Sequence, residues 1–572
     1  MYYFQFKFKT IFCHKKPTPK SLVLWSNFWG SAQAFQLALV IFLTFAGCKK
    51  SGVSSVDGTS VADNFSSAEE SVAASDAADG NTDSDPLAKY ITENGKIDTS
   101  ELTPYKASEV ATVNGRNIFK HNGKPYLYNA MHFRYDDLNT AYGPDTAKEI
   151  LDQGMQKIKE SGIDTVILYI YWRDMYDGKN YNFDNLKMQY DTAIRHDLKI
   201  QINWFGYNNC GYGGFMKWQT DRAKYPALKI NNPEITKEIP DLSKQIFIDE
   251  EIEAIRQLCA FINIYDKDRR TVAVQLENEP DNGEGGMGDW LSQFSNMVNL
   301  LNKLGKAVHG SVYSMITKVN LTMTGWDEIQ EGFDYPTRIN KVIEQPHLDL
   351  VGPDVYDVST VHNISFYEKG TNIPVHLEIG PSPWSVIGQS VYHLASGYGM
   401  GYYGLAESAR TVDSGLYRFD DMRWIERDGT KILAASNYKG QLECNTREFI
   451  AMSHSVDALR ELLASVPVSD MVGFNVNMKN VVSDLRKLDG KRFTYDYNNP
   501  AAKYGACGLV LKGPDGAYYC FSTQTADFTF PSAPASVTYG YYKDGVWNEA
   551  GSASANGARV TLEAGRAYRA VL

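Results

Sequence analysis

Eight short apolar or aromatic runs, strung over about 350 residues and mostly separated by helical patterns, constrain this chain more than any other feature. They are Tyr126–Met131, Thr165–Tyr171, Lys199–Phe205, Val272–Leu276, Val312–Lys318, Leu348–Val355, Val375–Ile379 and Met400–Leu405. Thr165–Tyr171 is almost continuously apolar or aromatic, as a parallel strand buried on both faces requires, and Lys199–Phe205 repeats the pattern. Between the runs, Ile150, Leu151, Met155 and Ile158 recur at helical spacing after Asp145, a candidate N-cap, and before the stop at Gly162. Glu250–Ile264, Trp290–Leu304 and Arg447–Leu463 read as further helices. Eight alternations predict an α/β chain folded as a (β/α)8 TIM barrel rather than a doubly wound sheet, and a barrel puts its chemistry where strands end.

The chain is 572 residues long, more than one core normally organises, and its character changes near residue 467. Arg492–Tyr497, Gly508–Leu511, Ala517–Ser522, Ala526–Phe530, Ser536–Tyr542 and Arg559–Leu562 are short runs between turns, as in an all-β sandwich. The expected organisation is a signal peptide over 1–47, a tether over 48–104, a barrel over 105–466 and a sandwich over 467–572. The net charge is −11 and no basic stripe stands out, which argues against a nucleic-acid partner. None of the seven cysteines lies in a CxxC or Cys/His spacing, so no metal is expected. Cys507 and Cys520 flank a Gly513–Gly516 turn, but hairpin counting pairs 507 with 522 and leaves the two cysteines diagonal, which disfavours a disulfide.

At the start, Lys7, Lys9, Lys15, Lys16 and Lys20 precede 28 uncharged residues, Ser21–Cys48, most apolar over Phe35–Ala46. That is a charged n-region followed by an apolar h-region. Thr44, Phe45, Ala46, Gly47 and Cys48 resemble the bacterial lipoprotein cleavage box, with Phe45 where that box usually has Leu. The resemblance implies cleavage before Cys48, acylation of Cys48, export, and anchoring to a membrane by lipid. An uncleaved membrane span is the alternative for the same stretch. Residues 49 to about 100, rich in Ser, Ala, Asp and Gly, read as a solvated tether.

Two of the apolar runs end in glutamates. Val272–Leu276 leads into Glu277, Asn278, Glu279 and Pro280, and Val375–Leu377 leads into Glu378, Ile379, Gly380 and Pro381. An ionisable group at the end of a buried strand is unfavourable unless something pairs with it or uses it. Glycoside hydrolysis uses such a pair, one carboxyl protonating the leaving oxygen while the other attacks the anomeric carbon or activates water.

With these residues in view, the sequence resembles the glycoside hydrolase clan A superfamily, whose members carry an Asn-Glu acid/base on strand four and a Glu nucleophile on strand seven. Here these are Asn278, Glu279 and Glu378. Gln275–Glu279 is most similar to the family 35 β-galactosidases, and the following Pro280 to cellulase-type and family 42 members. Asn122–Pro125 and Asn129–Arg134 also resemble the first strand of the family 35 and 42 enzymes. The resemblance covers roughly residues 110–465 through a few short motifs. It implies that Tyr356, closing strand six, bonds the nucleophile. Beside these, Asn278 is a candidate for a sugar hydroxyl and Arg134 for the nucleophile carboxylate or a structural salt bridge. Trp172, Trp204, Tyr402 and Tyr403 are candidate sugar platforms or barrel packing. His132 and His376 flank the mouth without a third ligand and read as hydrogen-bonding groups, and Asp136 and Asp137 as polar contacts or solvated loop carboxylates.

The reading that follows is an exported, lipid-anchored, retaining glycosidase for β-glycosides, β-galactosidase-like, acting on a carbohydrate without a cofactor. A carbohydrate-binding lipoprotein that does not turn over and a transglycosylase are the alternatives. The sugar, the linkage and the oligomeric state are not legible.

Overall fold

The structure, a computed structural model, describes residues 85–572 apart from 114, 210–213, 229–237, 282–289, 323–334, 356–366, 380–389, 392, 398, 403–438, 476–482 and 498–505. Eight parallel strands close into a barrel: β1 (Asn129–Phe133), β2 (Thr165–Tyr171), β3 (Lys199–Asn209), β4 (Thr271–Asn278), β5 (Ile316–Thr322), β6 (Leu350–Val355), β7 (Val375–Ile379) and β8 (Gly399–Tyr402). Closure comes from β8 pairing with β1, with Met400 opposite Asn129 and Tyr402 opposite Met131. Long helices cover it, among them Pro144–Glu160, Gln245–Tyr265, Trp290–His309 and Lys439–Ala458. Pro144 opens the first of these, so Asp145 lies in its first turn rather than at its N-cap.

Alternation sorts side chains between two layers. On β3, Ile200, Ile202 and Trp204 join the core under the helices, while Ile167, Ala273, Ile316, Leu350 and Val375 from neighbouring strands fill the lower barrel interior. A hairpin, Ser108–Val113 with Arg116–His121, brings Phe119 into that inner cluster, where it meets Tyr126 edge-on at 4.8 Å. The N-terminal end of the barrel is thereby packed solid.

Two expectations are corrected here. Strand five reads as Val312–Lys318 in the sequence but lies at Ile316–Thr322, because Tyr313–Ser314 pairs instead with Tyr105–Lys106 and the polar residues Lys318, Asn320 and Thr322 belong to the barrel interior. The tether expected to reach residue 104 ends sooner. Leu87 and Ile97 are fully buried, and Ile97 exchanges backbone hydrogen bonds with the Gln257 amide at 2.7 and 3.2 Å. Two well-spaced apolar residues suffice to dock this segment on the helix Gln245–Tyr265.

Beyond the barrel are β9 (Met471–Asn475), β10 (Ser483–Leu488), β11 (Lys491–Asp496), β12 (Cys507–Lys512), β13 (Tyr518–Ser522), β14 (Ala526–Thr529), β15 (Ser536–Lys543), β16 (Val546–Ser552), β17 (Ala555–Asn556), β18 (Arg559–Leu562) and β19 (Ala567–Val571). They form two antiparallel sheets, ordered β9-β12-β13-β19-β15-β16 and β10-β11-β14-β18-β17, which share a core of Phe474, Phe493, Tyr495, Tyr518, Phe528 and Val560. The outer face of the larger sheet, through Cys507, Leu509 and Phe521, joins the barrel's helix-side core, and Thr82–Leu572 form one compact unit. Gly508 pairs with Ser522 and Val510 with Cys520, one residue from the expected register. Cys507 therefore faces the barrel and Cys520 the sandwich core, and both are free thiols. Among the described residues no helix is long and apolar enough to cross a membrane; Cys48 and the apolar stretch before it lie outside the described residues.

Candidate active site

Four neighbouring strands, β4 to β7, carry polar side chains at their C-terminal ends, and pairing sets their heights. Thr322 lies opposite Asp354, and Asp354 opposite Glu378. On β7, His376 packs outward against His393 at 3.8 Å between rings, and the pairing to β8 is irregular between His376 and Ile379. An irregularity of this kind re-aims a side chain, and Glu378 turns into the mouth. Glu279 arrives from the other side, just past β4, with its own φ at 45° and that of Glu277 at 61°. Two non-glycine residues in the left-handed region within three positions mark a backbone that its surroundings hold in place.

One oxygen each of Glu279, Asp354 and Glu378 lies within 4.8 Å of the others, and all three residues are buried. Three carboxylates this close cannot all ionise. Burial, then the charges of Glu378 and Glu279, push the Asp354 carboxyl well above the usual carboxylate range, and it shares a hydrogen bond with Glu279. Asp354 therefore holds its proton and donates it toward Glu279. Asp281 is pushed up to about 7 by burial and by the charge of Glu279, while it accepts a 2.7 Å bond from the Thr322 N–H.

Lys318 supplies the opposing charge from below. It is fully buried inside the barrel, donates to the Tyr128 hydroxyl at 2.6 Å, and is pulled down to about 7 by burial against the attraction of Glu378 and Asp354. The three carboxyl oxygens could also surround a hard cation, but Lys318 and the amide of Asn320 already bring positive charge and donors to them from within the chain.

The acid/base strand has a brace of its own. Glu277, fully buried, accepts from the N–H groups of Gly206 at 3.2 Å and Tyr207 at 2.9 Å. Against it lies Glu251, equally buried, which accepts from Trp204 Nε1 at 2.9 Å. Burial, then the Glu277 charge, drives the Glu251 carboxyl well above its ordinary range, so it stays protonated and donates to Glu277.

Several residues singled out from the sequence sit elsewhere than expected. Trp204 faces the helix layer, held by Glu251; Trp172 packs edge-on against Tyr207 and Trp218; Tyr402 lies edge-on to Phe449. All three are fully buried in the helix-side core and offer no face to a sugar, because in a strand buried on both sides apolarity does not reveal which way a ring points. The aromatic wall inside the barrel is instead Tyr169, Tyr171 and Phe205, with Phe205 stacked on the two tyrosines at 5.1 and 4.6 Å. His132 is also no sugar contact: it is fully buried, with Nδ1 on the Tyr169 hydroxyl at 2.9 Å and Nε2 on the Leu377 carbonyl at 2.7 Å, and burial lowers it to about 3. It is a neutral strut next to Glu378. Arg134 forms salt bridges with Asp136 and Asp137, both at 3.1 Å, and lies over the Tyr169 ring. The Asn278 amide oxygen accepts from Asn320 Nδ2 at 2.9 Å and Gln275 Nε2 at 3.2 Å. Tyr356 and Tyr403 lie outside the described residues.

Sequence reading missed Asp354, Asn320, Lys318, Asp281 and Glu251. The available signal was polarity inside a strand: Lys318 and Asn320 alternate with Val319 and Leu321, a pattern that a strand buried on both faces does not need.

A cavity of about 1380 Å³ lies at the opposite end of the barrel beside the sandwich, lined in part by Tyr126, Lys199, Arg270, Arg460 and Tyr542. Several of its charges are paired, Lys199 with Asp164, Arg270 with Asp197 and Arg460 with Asp457.

No family model and no curated protein matches the chain. Among solved structures it is similar to the endo-1,4-β-mannanase of Rhizomucor miehei, at 14% identity over 60% of this chain and 99% of that one, with a TM-score of 0.39. It is also similar to the β-mannanase of the blue mussel Mytilus edulis, at 13% identity over 57% of this chain and 99% of that one, with a TM-score of 0.38.

Proposed function

We propose that the chain is a retaining glycoside hydrolase for β-glycosidic bonds, with Glu378 as nucleophile and Glu279 as acid/base. The observation that carries this is the approach of their carboxyl oxygens to within 4.8 Å at the barrel mouth, although 99 positions separate them in the sequence. Retaining enzymes hold their two carboxyls about 5–5.5 Å apart, and inverting ones about 6.5–9.5 Å to admit a water. The assignment of roles follows from the surroundings. Glu279 follows Asn278 as in the resembled acid/base motif, and it lies in hydrogen-bond contact with Asp354, whose carboxyl is held well above the usual range. Glu378 lies within the field of Lys318, which favours its ionised, nucleophilic form. In the first half-reaction Glu378 attacks the anomeric carbon as Glu279 protonates the departing oxygen; in the second, Glu279 takes a proton from the water that releases the sugar.

β-Galactosides are the first substrates to try, on the resemblance of Gln275–Glu279 and Asn129–Arg134, and the chain is placed at a membrane through a lipid on Cys48. Replacement of Cys48 by Ser should release or strand the protein, and a mature form that retains residues before Cys48 would refute the lipid anchor.

The decisive experiment is hydrolysis of aryl β-galactosides, β-glucosides and β-mannosides by the full chain and by Glu378→Ala and Glu279→Ala. Glu378→Ala should fail on every leaving group. Glu279→Ala should lose about 10²–10⁴-fold on poor leaving groups and much less on dinitrophenyl ones. Azide should yield an α-glycosyl azide from the first variant and a β-glycosyl azide from the second. Full activity in either variant, or equal losses on all leaving groups without any response to azide, would overturn the assignment.

A further inference from the structure

Asn320 is fully buried on β5, in the barrel interior, and its amide makes four hydrogen bonds. Its Oδ1 accepts from the backbone N–H of Glu279 and from Gln275 Nε2, both at 2.9 Å. Its Nδ2 donates to Asn278 Oδ1 and to Asp354 Oδ2, again both at 2.9 Å. An amide has two donors and two acceptor sites, so this one is saturated. Its orientation is also forced, because a flip would set its NH2 against the Glu279 N–H and its oxygen against two oxygens. A barrel layer can be filled by apolar side chains, and a saturated amide at this position is not needed for packing alone.

The four partners belong to the two sides of the site. Gln275, Asn278 and Glu279 belong to β4 and its exit, whereas Asp354 is on β6, directly opposite Glu378 of β7. The bond to the Glu279 N–H falls on a residue whose φ of 45° is unfavourable in isolation. We propose that Asn320 is the positioning residue of this site, whose amide holds the Glu279 backbone and the Asp354 carboxyl in one frame and so sets where the acid/base stands relative to the nucleophile. This inference rests on Glu279 being the acid/base.

The frame does not touch the reacting atoms, so its loss should act through Glu279. In the full chain, Asn320→Ala should lower kcat/KM on an unactivated alkyl β-glycoside about 10²-fold, the loss that a misplacement of about 1 Å produces. On the 2,4-dinitrophenyl glycoside of the same sugar the loss should stay below about tenfold, since that leaving group needs no proton. On the dinitrophenyl glycoside kcat and KM should fall together, because the slower release of the sugar lets the glycosyl-enzyme accumulate. Asn320→Asp, which keeps the shape and the acceptor to the Glu279 N–H but replaces both donors by an oxygen, serves as the second variant if the first does not fold, and should show the same selectivity. Equal losses on both substrates, or none, in a folded variant would overturn the positioning role. If Glu279→Ala itself shows no dependence on the leaving group, the acid/base assignment fails instead, and that outcome is distinguishable because it does not involve Asn320.

Discussion

Gly206 offers a direct test of the buried carboxyl pair that braces strand β4. A Cβ built on it would lie 1.9 Å from Glu251 Oε1, 2.6 Å from Glu277 Oε1 and 2.7 Å from Glu251 Cδ, whereas real contacts of this kind are essentially never under 3.0 Å. Gly206→Ala therefore has to displace the Glu251 carboxyl by about 1 Å or more. The displacement breaks the Glu251–Glu277 hydrogen bond and the 2.9 Å bond from Trp204, and it occurs where both acids are fully buried and water cannot take over. The bond to the charged Glu277 contributes about 1.5–3 kcal/mol and the bond from Trp204 to a neutral carboxyl about 0.5–1.5 kcal/mol, so the two losses amount to about 2–4.5 kcal/mol, a large share of the 5–15 kcal/mol typical of a folded protein. Urea unfolding followed by tryptophan fluorescence measures this, with Glu251→Ala and the double variant completing a cycle. Removing the Glu251 carboxyl takes away the atom at 1.9 Å and leaves only Glu277 Oε1 at 2.6 Å in the way, so Gly206→Ala should be milder by at least about 1 kcal/mol in that background. A Gly206→Ala protein within about 1 kcal/mol of wild type, or strictly additive behaviour in the cycle, would refute the account.

Other outcomes follow from the same geometry. Glu251 has a folded pKa raised above its unfolded value, so its contribution to stability is complete below about pH 4.3 and is lost as pH rises through the folded pKa; Glu251→Gln should flatten that decline in unfolding curves collected from pH 5 to 9. Lys318 behaves oppositely: its folded pKa of about 7 lies below the unfolded value of about 10.4, so wild type should gain stability relative to Lys318→Met between about pH 7 and 10. The same Lys318→Met variant removes the positive charge near Glu378 and should move the acidic limb of the kcat/KM profile to higher pH; an unmoved limb would separate Lys318 from the nucleophile. Phe119→Ala should destabilise the chain by about 3–5 kcal/mol by opening the barrel's lower end, and unchanged stability would show that the hairpin does not seal it.

The barrel was legible wherever a strand is apolar throughout. Thr165–Tyr171 lies where the sequence puts it, because every position on it is buried and no charged residue interrupts the run. The two glutamates were legible for the converse reason: each follows directly on such a run, where an unused charge would be expensive. What the same apolarity conceals is direction. Trp204 and Phe205 are adjacent on β3, yet one packs under the helices and the other against Tyr169 and Tyr171 in the interior, and only the closed barrel decides which is which. Glu251 was hidden for another reason, since on a helix full of acids and apolar residues nothing local shows that this acid faces a second acid from another strand.

Strand β5 carries the most instructive displacement. Its expected position, four residues too early, takes in the apolar residues Val312, Tyr313 and Met315 and ends at Lys318, short of Asn320 and Thr322. Those two residues are where the strand turns from packing to chemistry: Lys318 sets a buried positive charge beneath the carboxyls, and Asn320 ties two of the strands that carry them. A buried strand tolerates a lysine and a saturated asparagine only when compensating groups surround them, and here the compensating groups are the acids of the mouth. The violation of strand pattern and the construction of the site are thus one physical fact. A polar side chain inside a barrel strand needs a partner of opposite character at the same height, and the register of β4 through β7 supplies Gln275 opposite Lys318, and then Asp354 opposite Glu378 one level above Asn320.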